Sequence, residues 1–262
     1  VVTELEFRTY PITSAYAGHL IWDWSRIAEV LPRWAEWAVG APDAVTTSFR
    51  VLQLPPLPMI PEPMRGRSIL MIDGAVLGDD ATAEAVLAPL RALRPEMDTF
   101  GRMPAAALSR LHMDPEGPTP GVSATSILGE LPSAAIDAFI AAAGPGSGSV
   151  LLAAELRQLG GALSRPAEGA GALPSFDGQF LMFGVAIAPE PELGRLGKQH
   201  ADRLVAALGP WANGRKYLNF VEEPSDAAAG YRPAEWARLR TIRDAVDPAG
   251  VFHANHPVPR TS

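Results

Sequence analysis

The chain has no cysteine among its 262 residues. That absence excludes disulfides, thiolate metal sites and a cysteine nucleophile, and it fits a reducing, cytoplasmic setting. Positive charge is also short: 22 Lys and Arg against 29 Asp and Glu leave a formal net charge of −7. A phosphate-binding surface needs clustered Lys and Arg, and no basic stripe with interleaved aromatics runs through the sequence, so no nucleic-acid partner is expected. No apolar run approaches the ~18 residues that would suggest a membrane span, so no membrane partner is expected either. A Ser-His-Asp motif, a P-loop and a complete dinucleotide fingerprint are all missing. The partner class left standing is a small molecule.

What is present is an apolar fraction of 47%, enough for a packed core. Leu5 and Phe7 alternate with Glu4, Glu6 and Arg8, the period of a half-buried strand. Further strands are expected over 16–24, 45–53, 68–77, 122–128, 149–158, 179–187 and 215–221. Ser25 can cap a helix whose apolar face is Ile27, Val30, Leu31, Trp34 and Trp37, with Pro32 expected to kink or divide it. Asp79 and Asp80 offer caps for a helix through Val86, Leu87, Leu90 and Leu93. Other helices are expected near 103–112 and over 133–143, 190–208 and 233–246, the last burying Trp236, Leu239, Ile242 and Val246. Five prolines within 55–63 and the Pro/Gly-rich 114–121 stretch mark loops. Strands come in pairs, with helices between the pairs rather than after each strand. The expected fold is α+β, one domain over 1–262, with a largely antiparallel sheet and helices on one face. The other face is left open and apolar, free to cover a flat ring system.

Tyr217 and Asn219 are two apart on a predicted strand and so share a face. A phenol there can take a proton and an amide can bond a cofactor; equally, the pair can be a packed ring with a wet hydroxyl and a strand-end amide. Gln179 and the inward residues of its strand can line a substrate cavity or belong to the core. His253 and His256 are three apart, a spacing that converges only on a helix, yet they lie between Asp247-Pro248 and Pro257; no metal is expected. His200, on one helix face with Leu193, Leu196 and Leu204, reads as a core histidine.

The order Tyr217-Leu218-Asn219-Phe220, Arg238-Leu239, Asp247-Pro248 and Phe252 through Asn255 resembles the C-terminal signature of the berberine bridge enzyme-like flavoprotein oxidases. That signature reads Tyr-x-Asn-Tyr, Arg-Leu, Asp-Pro, Phe-x-x-Asn. Val1-Val2-Thr3 is similar to the end of the Gly-x-Phe-Gly-Val-Val-Thr stretch that closes the family's FAD-binding domain. Gly160-Gly161-Ala162 and Ala172-Leu173-Pro174 resemble its Gly-Gly-Ala and Ala-Phe-Pro elements, although Ser175 and Phe176 stand where His-Arg is common.

The resemblance implies FAD as cofactor, Tyr217 as proton acceptor, and Asn219, Asn255 and Thr3 at the flavin. It makes 215–262 the flavin-proximal segment, with an N-terminal FAD-binding domain as a partner outside this sequence. The chain would then be the substrate-binding half of an oxidoreductase that moves a hydride from an alcohol or amine carbon to the flavin. Phe220 departs from the pattern, because many members carry there a second Tyr that is often the catalytic base. The base is then Tyr217, another group, or missing. The alternative is a non-catalytic α+β module that binds an apolar ligand or a partner through the open sheet face.

Overall fold

Alternation along the strands builds the sheet and decides what lies on each of its faces. The computed structural model describes residues 3–7, 9, 11–115, 117–166 and 168–261. Its strands are β1 (Ser14–Asp23), β2 (Val45–Gln53), β3 (Ser68–Val76), β4 (Met97–Asp98), β5 (Gly101–Pro104), β6 (Gly121–Leu128), β7 (Ala153–Gln158) and β8 (Phe180–Ile187). They form one antiparallel sheet in the order β4-β1-β3-β2-β7-β8-β6, with β5 also paired to β1. The helices are α1 (Ile27–Gly40), α2 (Asp80–Arg91), α3 (Ser133–Ala143), α4 (Pro191–Leu208) and α5 (Pro233–Val246). The α+β architecture expected from the sequence is the one observed.

Every second residue of the strands, among them Leu20, Trp22, Phe49, Ile72, Leu156 and Met182, meets the apolar faces of α1 to α4 in one core. Trp34 of α1 is fully buried at its centre, 5.6 Å from the Phe49 ring and 5.4 Å from that of Phe180. Its indole N–H donates to the Thr47 hydroxyl at 3.1 Å, so the one polar atom of the ring is satisfied. Asp79 caps α2 by accepting from the Thr82 amide at 2.8 Å.

Several expectations are corrected. Leu5 and Phe7 are exposed and belong to no strand, and Arg8 lies outside the described residues. A strand needs a ladder partner, and the free edge of β1 is already taken by β4 and β5, two short strands that the sequence pattern did not reveal. α1 runs through Pro32 as one helix. Pro32 sits close to the N-terminus, so only the Ala28 carbonyl loses its intrahelical donor. The segment 105–110 is a 3₁₀ helix.

The segment 215–221 is not a strand. Leu218–Phe220 winds into a 3₁₀ turn, and the Lys216 amide bonds its own following loop at Ala229 O, 3.0 Å. No residue of α5 is buried, and Ile242 and Val246 stand exposed on it. α4 buries Gly197, Ala201, Leu204 and Leu208, which leaves Leu193 and Leu196 exposed and His200 only half-buried. Among the described residues no helix is long and apolar enough to cross a membrane.

Candidate functional site

The sheet face turned away from the helices is apolar only in part: Ile21, Leu52, Ile69, Met71 and Ala153 form a buried cluster with Met64 at one end of it, and charged residues occupy the rest. Strand alternation places Ser48 and Arg50 of β2, Asp73 of β3, and Glu155 and Arg157 of β7 on this side. The register sets Ser48 opposite both Asp73 and Arg157, and Arg50 opposite Glu155. Ser48, Arg50, Asp73 and Glu155 are all buried. Charges removed from water must be paired and hydrogen-bonded, and these are. Asp73 accepts from the Ser48 hydroxyl and from Arg50 Nε at 3.1 Å. Glu155 Oε1 accepts from Arg157 Nε at 2.6 Å.

A strap from the β5–β6 connection completes the cluster. After the 3₁₀ helix Ala105–Arg110, the Leu111 carbonyl accepts from His19 Nε2 at 2.7 Å and the His112 carbonyl accepts from Arg50 Nη1 at 3.0 Å. A carbonyl only accepts, so the His19 proton is on Nε2, and burial holds the His19 pKa low and its ring neutral. The strap thus fixed delivers the His112 side chain onto the strands. Its Nδ1 donates to Asp73 Oδ2 at 2.8 Å, and its Nε2 lies 3.5 Å from Glu155 Oε2 and 3.0 Å from Arg157 Nη2.

The electrostatics follow from these pairings. Burial opposes the charge on His112, but the hydrogen bonds to Asp73 and Glu155 outweigh it and push its pKa up to about 9. Burial likewise opposes the charge on Asp73, yet the His112 hydrogen bond and the Arg50 charge hold its pKa down at about 2. Glu155 is also held low: its burial is overcome by His112 and by the Arg157 guanidinium. At neutral pH Asp73, Glu155 and His112 all carry charge.

Above it opens a cavity of about 480 Å³, lined by Ser48, Asp73, His112, Glu155 and Arg157 of the cluster and by Leu108, Leu163, Leu181, Phe176, Tyr217 and Phe220 among others. Tyr217 therefore faces this space, although not from a strand. Its ring meets Phe220 edge-on at 4.9 Å and Phe176 at 5.5 Å. Asn219 Nδ2 donates to the Tyr217 hydroxyl at 3.1 Å. The turn carrying them is seated by Leu218 against Gly230, where an added Cβ would come within 2.7 Å of Leu218 Cγ.

Gln179 is exposed, occupies the turn before β8 and does not line the cavity; Leu181 does so instead. Thr3 and Asn255 are exposed and lie outside this lining, while Val1 and Val2 fall outside the described residues. Gly160 and Gly161 have φ of 86° and 49°, so the Gly-Gly pair answers a backbone need at the turn after β7. Among the described residues no group of three His, Asp or Glu is placed to hold a metal ion.

Sequence reasoning missed Ser48, Arg50, Asp73, His112, Glu155 and Arg157. One signal was available: charged residues interrupting otherwise apolar strands, Asp73 after Ser68-Ile69-Leu70-Met71-Ile72 above all. A buried charge in such a run requires partners, and those partners define a site.

No protein-family model and no curated protein matches the sequence. Solved structures match in fold. The wild-type BBE-like 1 of Physcomitrella patens superposes with a TM-score of 0.74 at 14% identity, over 95% of this chain and 55% of that one. A chitooligosaccharide oxidase gives 0.72 at 17% identity, over 95% and 56%. A single-residue variant of berberine bridge enzyme in complex with (S)-reticuline gives 0.71 at 14% identity, over 95% and 55%. The chain spans a little over half the length of each. At these identities the likeness is one of fold.

Proposed function

We propose that this chain, which has the fold of the berberine bridge enzyme-like FAD-linked oxidases, is the substrate-binding half of an FAD-dependent oxidoreductase. The observation that carries the reading is the cavity on the open sheet face, floored by a buried ion cluster and walled by Tyr217. The chain offers the fittings for one edge of a flavin. Thr3, Asn219 and Asn255 are exposed hydrogen-bonding groups, and Leu5, Phe7, Val251 and Phe252 are exposed apolar groups for a neighbouring domain to cover. The chain spans a little over half the length of the structures it matches, and an N-terminal FAD-binding domain would hold most of the cofactor.

When bound, FAD would accept a hydride from an alcohol or amine carbon of the substrate. The residues of this chain would supply the rest. Tyr217 is the proton acceptor, and the Asn219 amide, donating to its oxygen, stabilises the phenolate form. Phe176 and Phe220 hold the phenol ring by their edge contacts. The sheet beneath is rigid and ion-paired, a fixed floor for orienting the substrate.

The test is to purify the protein together with the sequence that precedes Val1 and measure flavin absorbance after gel filtration. Stoichiometric flavin, reduced anaerobically by an alcohol or amine substrate, supports the proposal; a flavin-free protein sinks it. Phe220, standing where a second tyrosine would serve as base, favours one other reading: a non-catalytic module that binds an apolar ligand. Flavin-free protein that still binds ligand in this cavity would support that one.

A further inference from the structure

We propose that the cavity on the open sheet face takes a substrate with an anionic group, a carboxylate or an acidic phenol or enol, carried on an apolar ring system, and that Arg157 and His112 receive the anion. This deepens the reading above and rests on it for the word substrate, since the same cavity is the substrate site there.

The first observation is which charges the cavity can see. The side chains of Asp73 and Glu155 are only 7% and 3% exposed, whereas His112 is 24% and Arg157 35% exposed. Arg50 lies as deep as the acids, at 7%, so the two charges that reach furthest toward the cavity are the cations His112 and Arg157, and a ligand meets positive charge.

The second is the balance of the cluster. Arg50 pairs with Asp73 and Arg157 with Glu155, while protonated His112 leans on both carboxylates. Three cations therefore share two carboxylates. Excess charge in a partly dry site is costly until a counter-charge arrives.

The third is local geometry. Arg157 Nη2 stands 3.0 Å from His112 Nε2. With the ring neutral, Nε2 would accept a hydrogen bond from Arg157. With both carboxylates holding the ring protonated, both nitrogens are donors and the approach is a contact of like charges. Glu155 Oε2 lies against both from below, at 3.3 Å from Arg157 Nη2 and a longer 3.5 Å from His112 Nε2; an oxyanion arriving from the cavity side adds a second acceptor for the pair. Arg157 Nη1 has no hydrogen-bond partner among the described residues, which leaves a further donor for a second oxygen.

Much of the remaining wall is apolar, with Leu108, Ile127, Leu163, Leu181, Phe176 and Phe220, and the polar groups beside them are Thr46, Thr47, Ser48, Gln158 and Tyr217. The Arg157 guanidinium lies 5.0 Å above the Phe220 ring, so the charged and aromatic surfaces adjoin. About 480 Å³ is within the ordinary size of a small-molecule site. Two or three fused rings with one acid group would cover the apolar wall and reach the two cations.

The experiment uses two probes of one shape, 2-naphthoate and 2-naphthamide, titrated calorimetrically into the whole protein at pH 7. Naphthoate should bind about 10-fold more tightly or better, as expected for charge-assisted hydrogen bonds. Arg157→Gln should bring the ratio close to one, and Phe220→Leu should weaken both probes alike. If Arg157→Gln fails to fold, the wild-type ratio serves alone. It should fall between pH 7 and 10 as His112 loses its proton, with Asp73, Glu155, Arg157, Arg50 and neutral His19 as the groups around it.

Equal affinities at pH 7 overturn the proposal, as does a ratio that neither Arg157→Gln nor pH moves. Calorimetry reads the anion site with or without flavin, and the absorbance of the same sample reads the cofactor. Loss of either conclusion is thus separable from loss of the other.

Discussion

Asp73 and His112 lie 39 residues apart in sequence and meet at 2.8 Å, a strand carboxylate accepting from the imidazole of a loop. The bond fixes the plane of the ring, which turns Nε2 toward Glu155 and Arg157. It also couples the acid and the base so that each holds the other charged. Stability should then depend on pH at both ends of the scale.

The Asp73 contribution is complete above its ordinary pKa of 3.8 and is lost as pH falls through about 2. The His112 contribution is complete below its ordinary 6.5 and is lost as pH rises through about 9. Tm should therefore decline from about pH 7 to 9.5 through His112. His112→Gln should flatten that alkaline limb. An unchanged slope in the variant would show that another group controls it.

Asp73→Asn removes the carboxylate but leaves the Arg50 guanidinium buried beside it. Breaking a buried pair from one side costs about 3–5 kcal/mol. Urea unfolding should show a loss of that order, with the m-value preserved. A loss below about 1 kcal/mol would place this pair with solvent-exposed bridges.

Tyr217→Phe keeps the ring between Phe176 and Phe220 and removes only the hydroxyl that Asn219 bonds. In the flavoprotein, turnover should fall about 10²–10⁴-fold if the phenol is the base, with flavin content unchanged. Unaltered turnover would move the base to another group.

Gly230→Val should separate positioning from stability. The new side chain would collide with Leu218, the residue that seats the 218–220 turn. Turnover should fall steeply because Tyr217 shifts, while Tm should drop by no more than the few degrees that overpacking one buried glycine costs, about 1–3 kcal/mol. A large drop in Tm with normal turnover would reverse that assignment.

The sheet was legible because strand alternation and helix caps are local signals. Val45–Gln53 was readable to the residue from alternation, and Ser133–Ala143 from a helical run stopped by Gly144. The ion cluster was not, because its members come from β2, β3, β7 and a loop, and only the strand register brings them together. Tyr217 was recognisable from motif order, yet its backbone was misjudged. Period 2 over Tyr-Leu-Asn-Phe suits a strand, but a strand forms only where an edge is available, and this segment bonds its own loop instead. β4 and β5 are too short to show any period.

The strap carrying His112 is tied to the sheet through two of its carbonyls, one held by His19 and one by Arg50. The turn bearing Tyr217 and Phe220 rests instead on apolar contact and on edge-on rings. The two walls of the cavity therefore differ in how freely they tolerate change. A substitution on the tied side disturbs several bonds at once and threatens folding, whereas one at Phe176 or Phe220 removes ring contacts to Tyr217 and reshapes the wall without breaking a side-chain hydrogen bond. Ligand preference in descendants of this chain can diversify from the aromatic side while the ionic floor stays as it is, and a laboratory library aimed at a new ligand belongs on that side.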